Sequence, residues 1–274
     1  MLTGDSAELE SSVSASVEAL TRSDGRRRKA LLVLIACLGA GAAPHWLGPL
    51  RGLLPALTAA VLLGAYSITT LRSGRAPISA PTEPGAALGP LPAIDVLVAA
   101  RDEEAVIGRL VEAIARLDYP ADRLSLWVMD DGSEDRTPQI LEELSSQHRF
   151  LNVRRRQRNA GGGKSGALNA LLPQLQGDWL LVLDADADLN PQLLQRIQSH
   201  LRGPAWGAVQ LRKAVLNADA SWLTRSQALE MAFDAEMQRG RIAQGGIGEL
   251  RGNGQLLRRE VLLACGGFNE DTVT

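Results

Sequence analysis

The sequence predicts an α/β domain with a mostly parallel sheet, preceded by an apolar N-terminal segment. Two observations predict this class. Runs rich in Val, Leu and Ile alternate with amphipathic helical patterns after Ala93, and a long, almost uncharged region comes before them. The length of 274 residues fits one folded domain with an additional part, because it exceeds the usual size of a single domain.

The composition argues against several functional classes. A formal net charge of -2 is not that of a basic nucleic-acid-binding protein, so we expect no nucleic-acid partner. Cys37 and Cys265 lie far apart and indicate neither a disulfide framework nor a zinc site. The histidines His45, His148 and His200 are scattered along the chain, which does not favour a metal site or a Ser/His triad. We therefore expect any catalysis to depend on carboxylates.

The N-terminal region is predicted to contain a tail, a membrane hairpin and a linker. Residues 1–29 are rich in Ser, Ala and acids and predict a disordered tail. Residues 30–71 hold two uncharged stretches, each close to the roughly 20 residues that span a bilayer, and predict two transmembrane helices. A signal peptide is the alternative for the first stretch, although it would begin nearer the N-terminus. Residues 72–92 contain five prolines and predict a linker.

The basic residues predict the orientation of this hairpin. The run from Arg26 to Lys29 precedes the first stretch, and Arg72 and Arg75 follow the second. Only Arg51 lies between the two stretches. Because positive charge favours the cytoplasmic side, both ends of the hairpin should face the cytoplasm. We therefore expect a multi-pass membrane protein whose folded domain, residues 93–274, is cytoplasmic.

The elements of that domain follow from the alternation of patterns. Apolar runs predict strands at residues 93–100, 124–131, 150–156 and 178–187, and amphipathic spacing predicts helices at 103–117, 137–148 and 165–175. In parallel sheets of this kind, ligands bind at the carboxyl ends of the strands, where the strand order reverses. Residues directly after the strands are therefore the first candidates for a functional site.

Acidic residues follow three of the predicted strands. Glu103 comes after the first strand, Asp130 and Asp131 end the second, and Asp184 and Asp186 end the fourth. Like charges gathered at one sheet edge repel one another, and the repulsion grows in a low dielectric. A divalent cation or a set of polar ligands would relieve it. Asp130 and Asp131 are also free to accept hydrogen bonds from a nucleobase or a ribose.

The stretch DADAD after the fourth strand divides into two parts. Asp184 and Asp186 alternate as oxygen ligands of Mg²⁺ or Mn²⁺ do, and such a cation is commonly shared with substrate phosphates. Asp188 and Asn190 precede Pro191 and predict the N-cap of a helix. We expect Ser133 to cap the helix after the second strand in the same way.

The basic segment at 154–169 contains a glycine-rich loop. It lacks the first glycine of a Walker loop, and its G-x-G-x-x-G follows a third, basic strand rather than the first strand of a dinucleotide-binding sheet. A flexible loop after a solvated basic strand is one interpretation. We favour a mobile basic loop whose Lys164 and backbone N–H groups approach an anion such as a diphosphate.

Two features near the C-terminus leave alternatives open. The pattern from Trp222 to Ala243 predicts a helix that lies either in the core or at an interface such as a bilayer surface. Five glycines between residues 245 and 254 surround polar side chains and predict either an acceptor-site loop, with Asn253 and Gln255 facing the acceptor, or a plain structural loop.

Taken in order, ARDEE, DDGSEDRT, GGGKSGALN, DADAD and GNGQLLRRE resemble the membrane-bound inverting glycosyltransferases that include cellulose, chitin and hyaluronan synthases. The resemblance covers residues 93–274 and implies a GT-A fold that binds a uridine-diphosphate sugar. It implies that Ala100, Arg101 and Glu103 lie at the nucleoside pocket, that Asp130 holds the uracil and that Lys164 lies near the diphosphate. Asp184 and Asp186 would form the D-x-D pair, with Asp186 nearest the metal.

A narrower resemblance rests on VQLRKAVLNA, QRGRIAQGGIGELRGNGQLLRR and CGGFNEDTVT. These segments look like those of the glucosyltransferases that make β-monoglucosyldiacylglycerol in oxygenic photosynthetic bacteria. This resemblance implies UDP-glucose as donor, diacylglycerol as acceptor, the lipid bilayer as a partner and inversion at the anomeric carbon. A processive polysaccharide synthase and a non-catalytic UDP-sugar-binding protein are the alternatives, and a Rossmann oxidoreductase is a third.

The resemblance assigns no catalytic base within the chain. In the family the base is an aspartate in a T-[DE]-D motif, which would begin at or just after Thr274. We therefore expect a domain that is incomplete at its C-terminus, binds UDP-sugar and metal, and transfers the sugar weakly or not at all, because a general base must deprotonate the acceptor hydroxyl.

Overall fold

The computed structural model describes residues 31–32, 34–39, 41–42, 49–73, 90–202 and 206–271. The chain divides into two compact units, Met1–Arg75 and Ala76–Thr274. The predicted tail at residues 1–29 and most of the predicted linker lie outside the described residues.

The first unit contains one long helix, α1 (Pro49–Ser73). Its portion Leu53–Arg72 is long and apolar enough to cross a membrane, with a mean hydropathy of 1.6. The hydroxyls of Thr58 and Thr70 donate to carbonyls one turn earlier, which satisfies polar groups inside the apolar helix. Residues 31–32, 34–39 and 41–42 are also helical, but within the described ranges only α1 has spanning length. The described residues therefore show one possible span, and the predicted two-helix hairpin is not shown.

The second unit is a six-stranded sheet with helices on its faces. Its strands are β1 (Ile94–Ala100), β2 (Leu124–Asp130), β3 (Leu151–Arg155), β4 (Trp179–Leu183), β5 (Ala208–Gln210) and β6 (Gln255–Arg258), in the order β3-β2-β1-β4-β6-β5. Strands β1 to β4 pair in parallel, and β6 is antiparallel to both β4 and β5. The predicted mostly parallel α/β sheet is confirmed. The sequence did not predict β5 and β6, because both are short and lack a continuous apolar run.

The helices connect the strands in chain order. They are α2 (Ile107–Ala115), α3 (Thr137–Gln147), α4 (Gly163–Asn169), α5 (Leu193–Leu201), α6 (Trp222–Ala243) and α7 (Arg259–Ala264). Helix α2 begins later than predicted because residues 103–106 form a turn, in which the carbonyl of Glu103 accepts hydrogen bonds from the backbone N–H groups of Val106 and Ile107.

The core lies on both faces of the sheet. Side chains alternate along each strand, so Val96 and Val98 pack in one cluster while Leu97 packs in the other. Burial on both faces explains why the parallel strands read as continuous apolar runs. The chain runs from β1 to β2 and β3 on one side and later returns to β4 on the other side of β1. The strand order therefore reverses at β1, the position at which α/β sheets bind ligands.

Candidate active site

The acids after β1 and β2 are paired with arginines from the end of β3. Asp130 is buried and its Oδ1 accepts a hydrogen bond from the Ser133 N–H at 2.8 Å. The Nε of Arg155 lies 3.1 Å from the other oxygen, Oδ2. That contact is an ion pair without hydrogen-bond alignment, and none of the described residues donates a hydrogen bond to the buried Oδ2. Asp130 thus keeps an acceptor oxygen that a donor on a ligand can satisfy.

Asp131 pairs with Arg156, and this pair reaches the glycine loop. The Arg156 Nε donates to Asp131 Oδ1 at 2.6 Å, and both side chains are largely buried. The two terminal nitrogens of Arg156 donate to the carbonyls of Gly161 and Gly163 at 3.0 and 2.8 Å. One guanidinium therefore joins the end of β2 to the loop between β3 and α4, with every contact charge-assisted.

Asp102, after β1, is held by Arg158. The guanidinium donates to both carboxylate oxygens, at 2.9 and 3.3 Å, and also to the carbonyl of Gly132. The hydrogen bond from Arg158 lowers the pKa of Asp102 from its usual value of 3.8 to about 2. Gly132 has a φ of 69°, and a Cβ there would lie 2.5 Å from the Cα of Arg158. Only glycine allows the β2 turn and the β3 loop to approach this closely.

The loops after β1 and β2 are also joined through backbone donors. The N–H groups of residues 102, 103 and 104 donate to the side chains of Ser133, Thr137 and Asp135, at 3.0, 2.8 and 3.0 Å. The predicted helix cap by Ser133 is therefore wrong. The Ser133 hydroxyl accepts a hydrogen bond from the Asp102 N–H in the loop after β1. Helix α3 begins after Arg136 without a side-chain cap.

The expected repulsion among the acids is thus relieved largely within the protein. Three arginines of the predicted solvated segment each contact a carboxylate, so the interpretation of that segment as merely solvated is wrong. Sequence reasoning missed these pairs. The sequence does show acids at the end of β2 and arginines at the end of β3. In the structure these strands are neighbours, and Asp130 lies opposite Arg155. Without the register, the acidic end of one strand and the basic end of the next could not be matched.

Asp184, at the end of β4, lies in a second group of predicted residues. The Lys164 ammonium forms an ion pair with its Oδ1 and lies 3.4 Å from the carbonyl of Gly252. The Asn253 side-chain oxygen accepts a hydrogen bond from the Asp184 N–H at 3.2 Å. The structure therefore brings together Lys164, Asp184 and Asn253. Gln255 lies in β6 opposite Val182, away from this group of contacts.

Asp186 and Glu103 lie near Asp184 without a cationic side chain beside them in the part of the chain that the structure describes. Asp186 is exposed. Burial raises the pKa of Glu103 above its usual value, and the negative charges of Asp186, Asp135 and Asp184 raise it further. Several carboxylates therefore lie close to one another between β1 and β4.

The donor set fits a divalent cation held jointly with a ligand. Within the described ranges, no group of three His, Cys, Asp or Glu side chains is arranged to hold a metal by itself. Asp184 and Asp186 can still supply two carboxylates. Mg²⁺ and similar cations are commonly bound by one or two carboxylates together with water and substrate phosphates. The group of neighbouring carboxylates around Glu103 is the observation that supports such a cation here.

The remaining predicted nucleoside residues lie at the same edge. Ala100 is buried at the end of β1, opposite Asp130, and its carbonyl accepts from the Asp131 N–H at 2.8 Å. Arg101 is exposed, and its Nη2 lies 3.5 Å from Asn159 Oδ1. Because its hydrogen bond to Asn159 is long, the Arg101 side chain can move to contact a ligand.

The second half of DADADLNP differs from the prediction. Helix α5 begins at Leu193 after Gln192, which makes no side-chain cap bond, so neither Asp188 nor Asn190 is the N-cap. Asn190 instead accepts a hydrogen bond from the Gln192 N–H at 2.9 Å and stabilises the turn before the helix. Asp188 is exposed and accepts from the Leu189 N–H.

Helix α6 does not belong to the core. Its one buried residue is Gly240, whereas Trp222, Leu229 and Phe233 are 79%, 71% and 52% exposed. The core alternative is therefore wrong, and an interfacial position stays a prediction. Arg251, in the loop with the five glycines between residues 245 and 254, forms an ion pair at 2.9 Å with Asp234 of this helix.

The fold and the site define a class of protein. Parallel strands whose acidic carboxyl ends surround a reversal of strand order form a GT-A-like domain, the class that handles nucleotide-activated sugars. The profile of glycosyl transferase family 2 matches residues 95–265, and the chain belongs to this family.

Among curated relatives, the chain is 46% identical over 253 residues to the β-monoglucosyldiacylglycerol synthase of Synechocystis sp., across 92% of this chain and 52% of the relative. It is 40% identical to the enzyme of that name from Trichormus variabilis, across 93% of this chain and 53% of the relative. The chain thus spans about half the length of the curated relatives it matches.

A solved structure supports the fold. The mannosyltransferase PcManGT from Pyrobaculum calidifontis, in complex with GDP-Man and Mn²⁺, matches with a TM-score of 0.58 and 26% identity. The match covers 79% of this chain and 58% of that one.

Proposed function

We propose that this chain supplies the donor-binding domain of an inverting glucosyltransferase that moves glucose from UDP-glucose to 1,2-diacylglycerol, giving β-monoglucosyldiacylglycerol. The observation that carries the proposal is the 46% identity to β-monoglucosyldiacylglycerol synthase over 92% of the chain. The site geometry supports it, because a buried acceptor oxygen of Asp130 lies on one side of the strand reversal and a group of neighbouring carboxylates lies at the other.

The nucleoside would bind at the ends of β1 and β2. The buried Oδ2 of Asp130 lacks a hydrogen-bond donor, and the N3–H of uracil would supply one. The network of Arg156 and Asp131 holds this edge in place before the donor arrives. Ala100, Arg101 and Glu103 would form the rest of the nucleoside pocket.

The diphosphate would bind between the glycine loop and β4. Lys164 would donate to phosphate oxygens, and the Asp184 that it now contacts would be free to hold a cation together with Asp186. A bound Mg²⁺ or Mn²⁺ would neutralise charge that develops on the departing UDP. The mannosyltransferase of similar fold was solved with Mn²⁺, which supports a divalent cation without choosing between the two.

The acceptor side would involve the loop that carries Asn253, together with Gln255 in β6. The Asn253 side chain already contacts the backbone of Asp184, so this loop lies beside the diphosphate end of the site. A general base would deprotonate the diacylglycerol hydroxyl as it attacks the anomeric carbon. We expect that base at or beyond Thr274. The apolar helix α1 would hold the domain at the cytoplasmic face of a bilayer.

The transfer reaction is tested with the full-length protein and labelled UDP-glucose. The protein is mixed with dispersed diacylglycerol and Mg²⁺ or Mn²⁺, and the label is followed between organic and aqueous phases. We expect labelled monoglucosyldiacylglycerol in the organic phase. Label found only in an insoluble polymer would favour the polysaccharide synthase, and binding of UDP-glucose without any product would favour a non-catalytic binding protein.

A further inference from the structure

The glycine loop, residues 161–163, is fixed from two sides. Its three glycines all have positive φ, at 87°, 68° and 52°, a backbone that other residues rarely adopt. On one side, Arg156 donates to two of the loop carbonyls. On the other side lies a segment that is remote in sequence, Gly267–Asp271, and the residues that connect it to the loop have no role in the site described above.

Glu270 is the residue of that segment that approaches the loop. A Cβ on Gly162 would lie 2.5 Å from Glu270 Oε2, and one on Gly166 would lie 3.4 Å from the same oxygen. The carboxylate therefore occupies the space that side chains at these two positions would need. Its other oxygen, Oε1, accepts a hydrogen bond from Asn169 Nδ2 at 2.7 Å.

The Asn169 side chain forms hydrogen bonds with the backbone of this segment. Its Nδ2 donates to the carbonyl of Phe268 and its Oδ1 accepts from the Phe268 N–H, both at 2.8 Å. A side-chain amide that pairs with both the N–H and the C=O of one residue fixes the backbone of that residue in position and orientation. Asn169 lies at the end of α4, the helix that the glycine loop opens.

We propose that Asn169 and Glu270 are positioning residues that couple the glycine loop to the segment Gly267–Asp271. The coupling means that ordering of the loop by a bound diphosphate also orders this segment. The inference rests on the proposed function, since it takes the loop as the diphosphate site, and it adds that donor binding orders a segment that is remote in sequence from the loop. Neither residue needs to touch the donor for this role.

The test measures backbone hydrogen exchange by mass spectrometry on the full chain, first without nucleotide. Asn169→Ala and Glu270→Ala should each speed exchange in the peptide that carries residues 161–164 by about fivefold, the effect of losing one ordinary hydrogen bond. Glu270→Gln keeps an oxygen for Asn169 and should restore slow exchange. Gln195→Ala is the matched control, because it removes a side-chain amide bond at 2.6 Å to Asp118 outside this network.

The second arm adds UDP with Mn²⁺. In the unsubstituted chain UDP should slow exchange in both peptides, those of residues 161–164 and 267–271. In Asn169→Ala it should slow exchange in the first peptide alone. Equal slowing of both peptides in Asn169→Ala overturns the coupling.

The two arms separate this proposal from the proposed function. If UDP slows exchange nowhere, the donor assignment fails, while the nucleotide-free arm still decides whether the loop and the segment are coupled. If neither Asn169→Ala nor Glu270→Ala changes exchange at residues 161–164 without nucleotide, the proposal is wrong whatever UDP does.

Discussion

The two sides of the strand reversal handle negative charge differently. On the side of β1, β2 and β3, three acids are each paired with an arginine, and the pair of Asp131 and Arg156 is largely buried. On the side of β4, Asp184 is paired with a lysine that is 27% exposed, and Asp186 is exposed with no cation beside it among the described side chains.

This difference separates structural charges from functional ones. A buried pair that is hydrogen-bonded on all sides is part of the folded state, and losing one partner leaves a costly unpaired charge. An exposed pair contributes little to stability and can exchange partners when a ligand arrives. We infer that the β3 side holds its shape without a donor, whereas the β4 side is completed by the donor and its cation.

The largest expected effect is on the β4 side, at Asp186. Asp186→Ala should weaken metal-dependent binding of UDP by at least about a hundredfold, because even outer-shell partners of metal ligands are typically worth 10–100-fold. Titration calorimetry with UDP and Mn²⁺ measures it. Asp188→Ala is the control and should bind normally with stability changed by less than about 0.5 kcal/mol, since its carboxylate contacts only the next N–H. Similar affinities in the two variants would contradict the division of this acidic stretch.

The next effect is on the β3 side, at Asp131. Asp131→Ala leaves Arg156 without its carboxylate in a largely buried place, so the free energy of unfolding should fall by about 2–3 kcal/mol. Denaturant titration in detergent measures this change. Asp122→Ala, at an exposed acid in the turn before β2, should change it by less than about 0.5 kcal/mol. A loss no greater than that of the control would mean that the β3 side is not preformed.

Substitution of Lys164 should weaken UDP binding more than it lowers stability, whereas substitution of Asp131 should mainly lower stability. Lys164→Ala removes a partly exposed ion pair and should lower the free energy of unfolding by under about 1 kcal/mol. The same change should weaken UDP binding by about 10- to 100-fold, because charge-assisted hydrogen bonds are worth about 1.5–3 kcal/mol. Lys213→Ala, at an exposed lysine after β5, controls for loss of charge. Unchanged UDP affinity in Lys164→Ala would remove the lysine from the donor site.

The smallest expected effect is at Asp102, which is exposed. The folded-state pKa of about 2 lies below the usual 3.8, so the carboxylate binds its proton less readily when the protein is folded. Its contribution to stability is therefore present above pH 3.8 and is lost as the pH falls toward 2. Asp102→Asn should flatten this part of the stability curve, as measured by thermal unfolding across that range. An unchanged slope would show that Arg158 does not favour the ionised form.

The sequence predicted the parallel half of the fold well. Continuous apolar runs identify β1, β2 and β4, which are largely buried, and the ends of these strands follow from the acids that come next. In β3 only Leu151 is buried, and the strand ends in exposed arginines. It could not predict β5 and β6, which form by pairing with β4 rather than by their own pattern. Helix starts were misplaced where Ser133 and Asn190 bond to neighbouring loops and turns, because several partners compete for one side-chain oxygen.

The site was predicted by its acids and not by their partners. Asp130 ends β2 and Asp184 follows β4, as expected, whereas Lys164 lies in α4 and contacts Asp184. The pairing of the arginines with the acids depends on the register of β2 and β3. The link from Asn169 to Phe268 spans 99 positions in the chain, and no local pattern in the sequence indicates it. Contacts between distant segments are decided by tertiary packing, which short motifs do not encode.

The close approach at Gly132 limits how the donor-side loops of this domain can be redesigned. A library that aims at a different nucleotide would naturally randomise the turn after β2, because Asp130 and Asp131 lie there. A side chain at position 132 would collide with the backbone of Arg158, whose guanidinium holds Asp102. Diversity should therefore be placed on either side of this glycine.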